Sequence, residues 1–328
     1  MTRVLILGGT GWLGREIASG WVAAGAEVAC LARGASGEVP DGARLVAADR
    51  TRSGAFDGLE GGWDEVVELA YQPELVEPAL DALAGRARHW TLVSSISVYA
   101  GTDEPGTDES AELVEPTDPT DYAHAKVAAE RSTAAHLGDR LLVVRPGLIV
   151  GPGDPSDRFG YWPGRFARGG RVLTPTVEDR WVQVIDVADL ARWIVDAGGA
   201  GLTGTFDATG LPVPLGEFLE MAAAAAGFEG EIERAPDEWL LEHDVRYWAG
   251  PRSLPLWLPV DAPVARRRDV SAFLGAGGRL RPLRETTERA KVDEVARGLD
   301  RPRRSGLTAQ EESALLALRS GRECSQGE

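Results

Sequence analysis

A glycine turn held between a strand pattern and a helix pattern, close to the start, limits what this chain can become. Val4 to Leu7 is an apolar run that reads as a buried strand, Gly8, Gly11 and Gly14 follow it, and Arg15 to Ala24 carries apolar residues at helical spacing. Strand, glycine turn and helix in this order aim backbone N–H groups at a phosphate. The first glycine allows the tight turn, the second lets a pyrophosphate approach the backbone, and the third lets helix pack on strand. A glycine triplet alone says little, but the flanking strand and helix are the context that gives it meaning. The turn, with Gly8, Thr10, Gly11, Trp12, Leu13 and Gly14, is therefore expected to bind a dinucleotide.

The rhythm continues. Glu27 to Leu31, Arg44 to Ala47, Trp63 to Leu69, His89 to Val93 and Arg140 to Val144 read as strands, with helices over Glu74 to Leu83 and Tyr122 to Leu137. Pro78 is expected near the first turn of its helix or as a break in it. Alternating strand and helix predicts an α/β fold, a Rossmann-type doubly wound parallel sheet. Gly101 to Asp121, acidic and rich in Pro, Gly and Thr, reads as a surface loop. The pattern breaks at Gly153 and returns as a strand at Trp181 and a helix from Asp186. The expected organisation is a dinucleotide-binding domain of residues 1–152 plus about 181–200, and a smaller, mixed C-terminal substrate domain of about 153–180 plus 201–307. Residues 308–328 are expected to form a C-terminal helix and tail.

Within that frame, individual residues acquire expected roles. The residue ending the second strand meets the adenosine ribose, where an acid selects the 2′-hydroxyl and an arginine accommodates a 2′-phosphate. Ala32 stands at that place and Arg33 follows, which favours NADP, with NAD possible and Arg33 alternatively a solvated turn residue. Asp49, at the end of the third strand, either faces the adenine or caps a turn. Leu69 and Ala70 end the fourth strand and are expected near the cofactor. Tyr122 and Lys126 lie four apart on one helix face. An ammonium beside a phenol favours the phenolate and fits it to exchange a proton at a carbinol or carbonyl. Ser95, at a strand end, can hold the same oxygen.

Net charge is −16, the wrong sign for nucleic-acid binding. The two cysteines, Cys30 and Cys324, suggest no disulfide framework, and no His/Cys/carboxylate set has metal spacing. No apolar run reaches membrane-spanning length, and the N-terminus shows no signal pattern. The chain is expected to be cytoplasmic, a monomer or homodimer, with a small-molecule substrate. Ser97, Tyr99, Trp162, Arg165 and Arg180 are candidates to contact that substrate, by stacking a ring or pairing an anion. For Trp162, Arg165 and Tyr99 a packing or solvated role is the alternative.

These pieces together resemble an extended short-chain dehydrogenase/reductase of the NAD-dependent epimerase/dehydratase family. The resemblance is carried by Gly8-x-x-Gly11-x-x-Gly14, Ser94-Ser95-Ile96-Ser97-Val98-Tyr99, Tyr122-x-x-x-Lys126 and Arg145-Pro146-Gly147, with Asp186-Val187-Ala188-Asp189-Leu190 further on. It implies that Tyr122 is the acid/base, that Lys126 lowers its pKa and holds the nicotinamide ribose, that Ser95 orients the substrate oxygen, and that Pro146 lines the nicotinamide. Sugar dehydratases of this kind carry an acid pair directly after the serine. Here Ile96 and Ser97 stand there, which disfavours dehydration. The expected activity is NAD(P)-dependent oxidoreduction of a secondary alcohol or ketone, with two alternatives. One is a nucleotide-sugar epimerase with tightly held NAD; the other is a non-catalytic dinucleotide-binding protein.

Overall fold

The computed structural model describes all residues except 102–104, 261, 263–266 and 326–328. Residues 102–104 of the expected surface loop therefore lie outside the described residues. The chain divides into two compact units. The first comprises Met1–Ile149, Val184–Leu211 and Arg266–Leu280; the second comprises Val150–Gln183, Pro212–Ala265 and Arg281–Glu328. Three bounds differ from the sequence reading. Residues 201–211, which hold an edge strand of the central sheet, and residues 267–280 fall in the first unit, and the C-terminal helix belongs to the second.

The first unit is built on seven strands: β1 (Arg3–Leu7), β2 (Glu27–Ala32), β3 (Ala43–Ala47), β4 (Trp63–Glu68), β5 (Ala87–Val93), β6 (Leu141–Val144) and β7 (Gly204–Phe206). They form one sheet in the order β7-β6-β5-β4-β1-β2-β3, parallel throughout. A parallel sheet is covered on both faces, so its strands are apolar on both sides. Along β1, Val4 and Ile6 pack toward one face with Ile17, Ala18 and Trp21 of helix α1 (Trp12–Ala23). Leu5 and Leu7 pack toward the other with Val76, Leu80 and Leu83 of α2 (Pro73–Leu83) and Leu137 of α3 (Tyr122–Leu137). A fourth helix, α4 (Val187–Gly199), lies on the α1 face through Leu190, Trp193 and Ile194.

The chain leaves β1 toward β2 on one side and later fills β4 on the other. The carboxyl ends of β1 and β4 thus flank the point where the winding reverses, the place where such sheets bind ligands. α2 runs through Pro78 without breaking, at the cost of one helix hydrogen bond. α3 opens on Asp121, whose carboxylate accepts from the N–H groups of Ala123 (2.8 Å) and His124 (3.1 Å).

The second unit holds a parallel strand pair, Arg171–Pro175 with Glu231–Ala235, and the helices Leu215–Ala226, Leu283–Arg297 and Ala309–Ser325. Glu312 ties the last of these inward, accepting from the N–H of Leu173 at 3.0 Å and pairing with Arg165. No described helix is long and apolar enough to cross a membrane.

Candidate cofactor cradle and proton-transfer site

Gly8 turns the chain out of β1 with φ +104°, a conformation that side chains with a Cβ avoid. Its N–H donates to Leu31 O, and its carbonyl accepts from Gly11 N, each at 3.0 Å. Gly14 has no room for a side chain: a Cβ there would lie 2.5 Å from Gly8 O and 2.9 Å from Gly9 Cα. Gly11, by contrast, has only Gly8 O within reach of such an atom, at 3.5 Å. This middle glycine stands at the amino end of α1, where N–H groups lack helical partners. Turn and packing glycines thus do their structural work, and the middle one leaves its backbone approachable. The cradle therefore fits a pyrophosphate.

At the adenosine side, Arg33 is exposed beyond β2. The Asp49 carboxylate accepts from the Thr51 hydroxyl at 2.7 Å and the Thr51 N–H at 3.1 Å, a turn-capping contact. Those bonds, with Arg33 and Arg52 nearby, hold its pKa below the usual range. Arg15, on the first turn of α1, reaches the loop after β2: a Cβ at Gly37 would lie 2.9 Å from its guanidinium.

The end of β4 holds a feature that the sequence reading did not single out. Glu68 is fully buried and clamped by Arg50, with N–O distances of 2.6 and 3.0 Å. Its Oε1 also accepts from Ala70 N at 2.7 Å. Leu69 follows, its side chain against Gly8 and Gly14. An acid ending an apolar strand and an arginine after β3 were both visible, but nothing in the sequence paired them.

At the next strand end, Ser95 is buried; its Oγ accepts from Ser97 N (3.1 Å) and lies 3.2 Å from Ser97 Oγ. Pro146 accepts from Ile96 N at 3.0 Å, which ties the segment after β6 to the serine turn. Tyr122 stands at the first turn of α3 with 45% of its surface exposed. Its ring meets that of Tyr71 edge to face, centroids 5.0 Å apart. Lys126, four residues on, is buried; its Nζ donates to Val93 O at 2.7 Å and lies 4.7 Å from the Tyr71 ring and 5.8 Å from the Tyr122 ring. Burial lowers the Lys126 pKa to about 8, against the pull of Glu68 and Glu130. Tyr71 belongs to the strand end expected near the cofactor, but its contacts with Tyr122 and Lys126 have no signal in the sequence, since a tyrosine after a strand carries no pattern of its own.

Tyr99 is buried in a polar network. Its hydroxyl donates to Asp207 at 2.6 Å and accepts from Arg145 at 2.9 Å. Arg145 makes two bonds to Glu130, at 2.6 and 3.0 Å. Arg268 bonds Asp207 at 2.9 Å and stacks 3.5 Å from the centre of the Tyr99 ring. Burial and the adjoining Asp207 carboxylate push the Tyr99 phenol up, out of the range of proton transfer at neutral pH.

The other substrate candidates lie in the second unit, each with a partner there. Trp162 is buried and donates to Pro255 O at 2.7 Å. Arg165 pairs with Glu312, and Arg180 with Asp237. These side chains tie the second unit together. Among the described residues no His/Cys/carboxylate group could hold a metal. Cys30 is a buried thiol packed against Gly9.

Residues 74–203 match the model of the NAD dependent epimerase/dehydratase family, a span that holds Ser95, Tyr122 and Lys126. The dTDP-6-deoxy-L-talose 4-dehydrogenase (NAD(P)(+)) of Kitasatospora kifunensis is 33% identical over 179 residues, 47% of this chain. The chain spans 54% of that relative's length. The fold is similar to that of UDP-N-acetylglucosamine 4-epimerase from Bacillus cereus, with TM-score 0.69 and 16% identity, covering 93% of this chain and 100% of the other. It is also similar to the UDP-glucose 4-epimerase of Thermus thermophilus in complex with NAD, with TM-score 0.63 and 20% identity, covering 90% and 99%. The glycine turn, the serine strand end and the Tyr-Lys helix, together with the span matched over residues 74–203, make this chain similar to the NAD dependent epimerase/dehydratase family.

Proposed function

We propose that this protein is an NAD(P)-dependent oxidoreductase acting at a secondary alcohol or ketone, with Tyr122 as its acid/base. The observation that carries the reading is Lys126, buried beneath the Tyr122 ring on the same face of α3 and beside the carboxyl ends of β4 and β5. A buried ammonium there favours the phenolate of Tyr122. Tyr122 gives its proton to the carbonyl oxygen in reduction and takes one from the hydroxyl in oxidation. Ser95 Oγ orients that oxygen, and Pro146 holds the serine turn in place. The Gly8–Gly14 turn receives the pyrophosphate. Nicotinamide, when bound, supplies or accepts the hydride.

NADP is the preferred partner in this reading. Ala32 places no carboxylate against a 2′-phosphate, and Arg33 and Arg15 lie on the two segments that border the adenosine position. The substrate is a nucleotide sugar oxidised or reduced at a ring carbon. The dehydrogenase relative and the epimerase folds support this class, and Ile96 and Ser97 leave no carboxylate pair for water elimination. A second reading, epimerisation through a transient ketone with retained NAD, uses the same Ser95, Tyr122 and Lys126.

The test mixes purified protein with a dTDP-6-deoxy-4-ketohexose and reduced cofactor and follows cofactor oxidation. Consumption of NADPH with formation of the 4-hydroxy sugar is expected. Inversion of a UDP-hexose without net cofactor turnover would favour the second reading, and no change in either assay would overturn both.

A further inference from the structure

Lys126 occupies an awkward electrostatic position. It is 4% exposed, its Nζ donates to one carbonyl, Val93 O, and aromatic rings of Tyr71 and Tyr122 cover it. An ammonium stripped of water tends to lose its proton, yet an uncharged Lys126 would do nothing for a phenolate. Two carboxylates oppose that loss. Glu130 lies one turn further along α3, on the same helix face; Glu68 pairs in register with Leu92 of β5, one residue before Val93, whose carbonyl holds the Lys126 Nζ. Each is held by an arginine through two bonds: Arg145 on Glu130 at 2.6 and 3.0 Å, Arg50 on Glu68 at 2.6 and 3.0 Å.

We propose that Glu68, locked in its ionised form by Arg50, is a positioning residue that keeps Lys126 protonated beside Tyr122. This rests on the acid/base reading of that pair. Burial pushes the Glu68 carboxyl upward, and Arg50 opposes it. The hydrogen bonds decide the form. Oε2 accepts from Arg50, and Oε1 accepts from Arg50 and from Ala70 N. Every partner of the carboxylate is a donor, so protonating it would sacrifice an acceptor in a buried site. Each of the two carboxylates favours the charged form of Lys126. Arg50 links the end of β3 to Glu68, so the adenosine side of the cradle and the proton-transfer side share one buried charge row.

The sequence makes the test clean, because Lys126 and Lys291 are the only lysines in the chain. Protein carrying isotope-labelled lysine yields two side-chain signals in heteronuclear NMR, assigned with Lys291→Arg. In the wild type the Lys126 signal is expected to titrate at about 8. In Glu68→Gln its midpoint is expected to fall by roughly one pH unit, while the Lys291 midpoint stays in place. The double variant Arg50→Met/Glu68→Gln leaves no uncompensated charge behind, so it reports even if the single variant folds poorly; a smaller downward shift is expected, because the opposing Arg50 charge leaves with the carboxylate. A Lys126 midpoint that does not move in a folded variant overturns the proposal. No turnover is measured, so a Tyr122→Phe protein with full activity would remove the acid/base reading and leave this result standing.

Discussion

The rings of Tyr71 and Tyr122 meet at 82°, centroids 5.0 Å apart, above the ammonium of Lys126. Tyr122 is nearly half exposed, so the Tyr71 edge is one of the contacts that orient it. Edge-to-face pairs contribute about 0.5–1.5 kcal/mol. Tyr71→Ala is expected to lower kcat up to about tenfold, with KM much less affected, and Tyr71→Phe to keep near-wild-type kcat. Steady-state cofactor-coupled kinetics on the two variants checks this. Equal losses in both would assign the effect to the Tyr71 hydroxyl instead.

The glycines of the cradle predict a split between stability and binding. Gly14→Ala forces a Cβ against backbone at 2.5 and 2.9 Å, an overpacking that costs about 1–3 kcal/mol. Gly11→Ala meets only Gly8 O at 3.5 Å, so its thermal midpoint should match the wild type while its added methyl obstructs the pyrophosphate. Thermal melts, paired with fluorescence titration of NADPH, measure both quantities on each variant.

Arg33 is exposed, so its removal should leave the fold intact. Arg33→Ala is expected to weaken NADPH binding by about tenfold or more, the size of a charge-assisted contact, and to leave NADH binding unchanged. Isothermal titration with both cofactors decides it. Equal effects on the two would assign Arg33 to the solvated role and remove the case for a 2′-phosphate.

A pH effect follows from the other end of the sheet. His89 of β5 bonds Glu65 of β4 through Nδ1 and Leu202 O through Nε2, the latter at 2.8 Å. Burial opposes charge on the ring, but the carboxylate and the carbonyl outweigh it, and the His89 pKa is raised. An unfolded histidine titrates near ~6.5. The stabilisation is therefore full below that value and is lost as pH climbs through the higher folded one. Urea midpoints measured from about pH 6 to about pH 9 should fall in the wild type and stay flatter in His89→Gln.

Much of the first unit was legible in the sequence because its signals are local. The apolar strand runs, the glycine turn, the Asp121 cap and the Tyr122/Lys126 spacing each lie within a few residues of one another. The charge partners were not, because they come from distant segments. Glu68 finds Arg50 across two strand ends, and Tyr99 finds Asp207, which lies 108 positions away. The second unit was harder still. Trp162 and Arg165 looked like ring-stacking and anion-pairing groups, but Pro255 O and Glu312 occupy them there. Composition shows that such side chains are present and is silent on who partners them.

The central claim is that a single phenol exchanges the proton of this reaction. Tyr122→Phe, with NADPH affinity confirmed as unchanged, is to be compared with the wild type for transfer of deuterium from labelled reduced cofactor into the 4-keto sugar. Transfer is expected to slow by about 10²–10⁴, the contribution of a positioned acid/base. Transfer at the wild-type rate would contradict it.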